Sequence, residues 1–150
     1  MPEKETLERA EQDKREGKSP STQAGEFVRE EIHHIREGKH GASSAKQAVA
    51  IGLSKARRAG VELAPPKKGS VSEKTRKSAA RDNSRGHNKK KKAVSASRSR
   101  SSEAALKREP RSAASHKALS RQAKSAARTR KKSGTKTVQS RRTQSRRKAA

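Results

Sequence analysis

The clearest periodicity lies between Ser44 and Gly60, where Ala45, Ala48, Val49, Gly52, Leu53, Ala56 and Ala59 recur on one helical face. Lys46, Gln47, Ser54, Arg57 and Arg58 take the other side, with Ile51 the one large apolar residue among them. Ser44 and Gln47 have the spacing of a capping box, Gly60 supplies a stop, and Pro65-Pro66 prevents resumption. A second pattern begins at Ser19-Pro20, a cap followed by proline at the first helical position, and ends at Gly38. Ala24, Phe27, Val28, Ile32 and Ile35 form its apolar stripe. Glu31 interrupts that stripe and calls for a cationic partner; Lys46 and Arg57 lie along one edge of the facing helix. The link from Gly38 to Ser43 is short, as between antiparallel neighbours, so residues 19–60 read as a helical hairpin. Its expected packing residues are Phe27, Val28, Ile32, Ile35, Val49, Gly52 and Leu53. The small ridge Ala48–Gly52–Ala56 favours close approach, within the hairpin or between two copies, so a homodimer or a protein partner through the hairpin is expected.

Outside the hairpin the periodicity fades. Residues 1–18 offer only Leu7 and Ala10 as apolar positions after Met1, with Glu5–Arg9 and Glu11–Arg15 at favourable helix spacing. With nothing evident to bury, they read as a mixed-charge flexible arm. Residues 61–72 read as a Pro/Gly/Ser linker, and from Lys67 to Ala150 the chain is basic and of low complexity. KSAAR occurs at Lys77–Arg81 and Lys124–Arg128, with a variant at Arg111–Ser115; such short repeats read as compositional bias. Leu, Ile, Val and Phe sum to 15 of 150 residues, while alanine alone contributes 23. So few large apolar groups cannot offset ordering entropy of roughly 1–2 kcal/mol per residue along the whole chain. The expected fold is therefore mostly disordered with a small all-α element, the hairpin, followed by a long basic disordered tail. The stretch 112–132 is expected to become helical only once phosphates neutralise it.

Charge sharpens the division. Residues 1–66 carry 12 Lys/Arg against 11 Asp/Glu, and residues 67–150 carry 29 against 4. Solubility alone does not call for such an excess; a basic tail for a polyanion does. The expected DNA-binding residues are Lys89, Lys90, Lys91, Lys92, Arg98, Arg100, Lys107, Arg108, Arg128, Arg130, Lys131, Lys132, Arg141, Arg142, Arg146 and Arg147. Lys46, Lys55, Arg57 and Arg58 are accessory candidates on the second helix, against the plainer alternative of a solvated face. The tail holds no aromatic residue, which disfavours stacking on single strands. His33, His34 and His40 invite a metal reading, but adjacent His33 and His34 diverge by about 100° on a helix and are expected to pair with Glu37 and Glu30 rather than share a metal. Neither a catalytic set nor a glycine-rich nucleotide loop is present, so no enzyme, no cofactor and no metal are expected. The longest apolar run, Ala48–Leu53, is too short for a membrane span, and no secretory signal is visible, so a cytoplasmic protein is expected.

The segments KQAVAIGLSKARRAGV (46–61), GEFVREEIHHIREGKHG (25–41) and ALKREPRSAASHKALSRQAKSAARTR (105–130) together resemble a family of small basic bacterial proteins of uncharacterised function. Its members are commonly labelled DNA-binding protein or plasmid stabilization protein. That resemblance implies a bacterial protein acting on a chromosome or plasmid, and nucleoid association is the expected localisation. With the charge pattern it gives a histone-like, largely sequence-independent DNA-binding protein as the expectation. The alternatives are an RNA- or ribosome-associated basic protein, and an adaptor whose hairpin binds a partition or maintenance protein.

Overall fold

Ser19 and Ser44 both cap helices as their spacing requires: their hydroxyls accept the backbone N–H of Thr22 (3.4 Å) and Gln47 (3.2 Å). The return arm of the second box reaches one residue further, with the Gln47 amide oxygen accepting Ser43 N–H at 2.7 Å. A computed structural model describes residues 2–88 and 95–131. Its helices are α1 (Lys4–Arg15), α2 (Pro20–Arg36), α3 (Ala45–Arg58), α4 (Glu73–His87) and α5 (Ala96–Arg108), followed by a 3-10 turn at Arg111–Ala114. Residues 116–131 are helical as well and are termed α6. The chain divides into two units, Met1–Ser115 and His116–Ala150.

In the first unit α2 and α3 form the expected antiparallel pair, closed by Gly38 and Gly60 at φ of +80° and +99°, which only glycine adopts without strain. Two apolar clusters hold it together. Ala24 and Phe27 of α2 meet Ala56 of α3, Val61 and Ala10 of α1, with Leu53 and Leu63 at the edge. Ile35 meets Ala42, Ala48, Ala113 and Ala114, with Ile32 alongside. Between the clusters Gly52 lies against Val28: a Cβ at that glycine would stand 2.7 Å from the Val28 Cα. The small-residue ridge is thus filled by α2 of the same chain. Val49 is half-buried.

The expectation of a mostly disordered chain is overturned, since the described residues form an all-α fold well beyond the hairpin. The flexible arm is the helix α1, packed on α2 through the fully buried Thr6 and through Ala10, with Leu7 outside. Ionic contacts complete that interface, chiefly Arg9 Nε donating to Glu26 at 2.8 Å. The basic low-complexity stretch is no tail at its start either. α4 docks on α3 with Ala79 buried, Asp82 accepting the Ser54 hydroxyl at 2.5 Å and Asn83 donating to the Leu63 carbonyl at 2.9 Å. Gly86 lets its main chain lie against the Arg57 carbonyl, where any Cβ would collide. The 3-10 turn then inserts Ala113 and Ala114 into the second cluster. Gly41 admits the Glu109–Pro110 main chain and donates to the Leu106 carbonyl at 2.9 Å. The SAA core of the short repeat therefore serves as packing material at two of its three occurrences. The described residues 67–88 and 95–115 fall in the first unit.

The disorder expectation failed because it weighed large side chains alone. Alanine and glycine lose no side-chain rotamer entropy on burial, and they let backbones approach closely enough for dispersion contacts to accumulate. Glu31, fully buried, sits between Phe27 and Ile35 and does have its cation: Lys55 Nζ lies 2.6 Å from Oε2.

Candidate nucleic-acid interface

The packing of α4 decides what it shows to solvent. Ala79, Asp82, Asn83 and Gly86 take the side against α3, and Lys74, Lys77, Arg81 and Arg85, three and four residues apart, fall on the opposite side, all exposed. Arg76 leans toward the flank, where its Nε donates to Glu73 at 3.0 Å; that bond raises the guanidinium pKa further. The outcome is a cationic ridge on a helix fixed from behind by small residues. Sequence reasoning did not single out these four residues. The signal was available as the 3-4 spacing of cations across KSAAR once a buried alanine is assumed.

α6 carries a second ridge. Lys117, Arg121, Lys124 and Arg128 recur at four, three and four residues, and with Ser120 and Ser125 they line one shallow groove. At 1.5 Å per residue these four cations span ~16 Å. Arg130 and Lys131 are exposed at the end of the same helix. In the other unit α5 buries none of its residues, so Arg98, Arg100, Lys107 and Arg108 all face water. Lys107 is paired with Glu103 at 2.9 Å, a bond that holds the Glu103 carboxyl below its ordinary pKa. Lys89, Lys90, Lys91, Lys92, Lys132, Arg141, Arg142, Arg146 and Arg147 lie outside the described residues.

The accessory residues of α3 divide sharply. Lys46 is exposed. Lys55 is turned inward to Glu31 and to Glu30, 3.6 Å away. Arg57 is buried, donating from Nε to the Leu63 carbonyl at 3.2 Å and from a terminal nitrogen to that of Ala64 at 3.4 Å; burial lowers its pKa. It shapes the turn that leads to α4. Arg58 donates to the Ser54 carbonyl at 3.2 Å and lies 4.0 Å from Asp82. Exposed cations thus lie on α4 and α5 in the first unit and on α6 in the second, while much of the basic face of α3 is committed to internal bonds.

No helix among the described residues is long and apolar enough to cross a membrane. Residues 14–68, which take in the end of α1, all of α2 and α3 and the following turn, match a protein family described as a family of unknown function (DUF6496). Neither the curated proteins nor the solved structures contain a match.

Proposed function

We propose that this chain is a non-enzymatic, histone-like protein that binds DNA largely without regard to sequence, neutralising and compacting it at the nucleoid in chromosome or plasmid maintenance. The observation that carries this reading is the pair of exposed cationic ridges, Lys74–Lys77–Arg81–Arg85 on α4 and Lys117–Arg121–Lys124–Arg128 on α6. They lie in a stretch with 29 Lys/Arg against 4 Asp/Glu. Cations at helical spacing neutralise successive phosphates and release condensed counterions, which yields affinity without base readout. Ser120 and Ser125 beside the α6 ridge supply hydroxyls for phosphate oxygens. An adaptor role for the hairpin has less support, because α1, α4 and the 3-10 turn already pack on α2 and α3.

The test is a salt-titrated gel shift on duplex DNA with the full chain and two fourfold variants. One carries Lys74→Gln, Lys77→Gln, Arg81→Gln and Arg85→Gln; the other carries Lys117→Gln, Arg121→Gln, Lys124→Gln and Arg128→Gln. At about 0.9 per phosphate contact, each set should flatten the slope of log affinity against log salt by about 3–4. Unchanged slopes in both variants would remove the ridges from the interface. Competition with structured RNA separates the nearest alternative: a tenfold preference for RNA would reassign the partner.

A further inference from the structure

The α2–α3 loop brings His40 back over α2, beside His34 and Glu31. We infer that Glu31, His34 and His40 form a binding site for one divalent transition-metal ion of the zinc class, with Glu30 as a fourth donor. One ligand atom from each of the first three residues lies within 4.8 Å of the others. The relevant histidine pair is therefore 34 and 40, and the divergence of adjacent histidines on a helix does not bear on it.

Both carboxylates are sequestered and incompletely served. Glu31 is 0% and Glu30 4% exposed. Neither Glu31 oxygen has a hydrogen-bond partner, nor does Glu30 Oε1. Lys55 Nζ stands 2.6 Å from Glu31 Oε2 as an ion pair outside hydrogen-bond alignment, which leaves Oε1 facing His40 Nε2 at 3.2 Å. Each imidazole is oriented from its far side. His40 Nδ1 lies 3.1 Å from the Gly41 carbonyl, an acceptor that takes the proton on Nδ1 and turns Nε2 toward Glu31. His34 Nε2 meets Glu3 Oε1 at 2.8 Å, and its Nδ1 lies 3.9 Å from Glu30 Oε1. A carboxylate or carbonyl behind each histidine is the usual outer support of a metal ligand.

Charge agrees with the stoichiometry. The ion-pair network through these residues joins Glu3, Glu30, Glu31 and Glu37 to Lys39, Lys55 and the two histidines. With both imidazoles neutral, Glu30 and Glu31 against Lys55 leave one negative charge among the donors, and Glu3 and Glu37 against Lys39 leave one more on the outer side, two in all for one divalent ion. Nitrogen and oxygen donors without thiolate suit zinc and its neighbours, at bond lengths of about 2.0–2.2 Å. The donors must close in by side-chain rotation to reach them. Glu30 and His34 also line a crevice with Glu3, Thr6, Arg9 and Lys39, whereas Glu31 and His40 lie outside its lining.

Titration of the metal-free full chain with Co²⁺, followed by displacement with Zn²⁺, tests the site. The expected result is one ion per chain, with visible cobalt bands of the intensity given by four-coordinate nitrogen and oxygen donors, lost on adding zinc. His40→Gln and Glu31→Gln should each lower affinity at least tenfold, while His33→Gln, at an exposed position on the same helix, should not. Because Glu31→Gln alters a buried pair, Glu3→Gln provides a milder arm, with a loss of about 10–100-fold for an outer support. Zinc should also slow hydrogen exchange at the Gly41 and Ala42 amides, which hold the Leu106 and Pro110 carbonyls. Weak octahedral bands, or affinity equal in the His33 and His40 variants, would overturn the site and leave the cluster a plain ion-pair network.

Discussion

Two glycines inside helices answer the same substitution with opposite signs. Gly25 in α2 has nothing within 4 Å of where a Cβ would stand, so Gly25→Ala should gain the helix-propensity difference of about 0.5–1 kcal/mol. Gly52 in α3 gains the same term, but its Cβ would lie 2.7 Å from the Val28 Cα and 2.9 Å from its Cγ2. The nearer distance is about 0.8 Å inside the ~3.5 Å lower edge of favourable carbon contact. Main chain cannot rotate away, so α2 and α3 must separate, loosening the clusters on either side of the contact. Overpacking of this kind costs roughly 1–3 kcal/mol, leaving a net loss of about 1 kcal/mol for Gly52→Ala. For a unit of this size that is about 4 °C, against a rise of about 2–4 °C for Gly25→Ala. Thermal unfolding of the full chain by far-ultraviolet circular dichroism reads both. If Gly52→Ala raises the midpoint as Gly25→Ala does, the close approach of the two helices is refuted.

Gly86→Ala, whose Cβ would collide with the Arg57 carbonyl, should unseat α4 and speed hydrogen exchange at its amides, leaving α1 protected; unchanged exchange would return residues 73–87 to the status of a tail. Chain 1–115 should keep the circular dichroism and cooperative unfolding of the first unit, whereas chain 1–66, stripped of Ala79, Ala113 and Ala114, should melt at lower temperature; equal midpoints would contradict the docking of those alanines. Hydrogen bonds from Lys18 and then Gln12 hold the Glu16 carboxyl below its ordinary value of 4.5. Its contribution to stability is therefore complete above that value and is lost as pH falls through the depressed folded pKa; nuclear magnetic resonance titration should place Glu16 nearer 4.5 in Lys18→Met.

What was legible in the sequence was whatever depends on local pattern. Ser19, Ser44, Gly38 and Gly60 mark the hairpin ends, and the Ala48–Gly52–Ala56 spacing announces close approach. Even the misfit Glu31 announced a cationic partner, although the partner is Lys55 and not the edge residues: Lys46 is exposed, and Arg57 is committed to the Leu63 and Ala64 carbonyls. What stayed hidden depends on non-local meetings of small residues. Ala113 and Ala114 look like any other alanines in a basic run until Ile35 and Ala48 are found around them. Gly41 and Gly86 look like turn residues until a distant main chain is found against each. His40 looks like a loop residue until the loop folds it onto Glu31.

These meetings also explain why the basic half should not be treated as interchangeable charge. Permuting Lys, Arg, Ser and Ala within 73–115 would preserve the counterion term and destroy the register that puts Ala79 and Ala113–Ala114 inward. In that register Lys74, Lys77, Arg81 and Arg85 face outward. A disordered cationic segment must lose chain entropy when it lies along a duplex; a ridge held on a packed helix has already lost it on folding. The permuted chain should therefore bind duplex DNA more weakly than the native one at equal net charge, with a similar salt slope. Equal affinity would mean that only the number of charges matters and that the fold beneath the α4 ridge contributes nothing to binding.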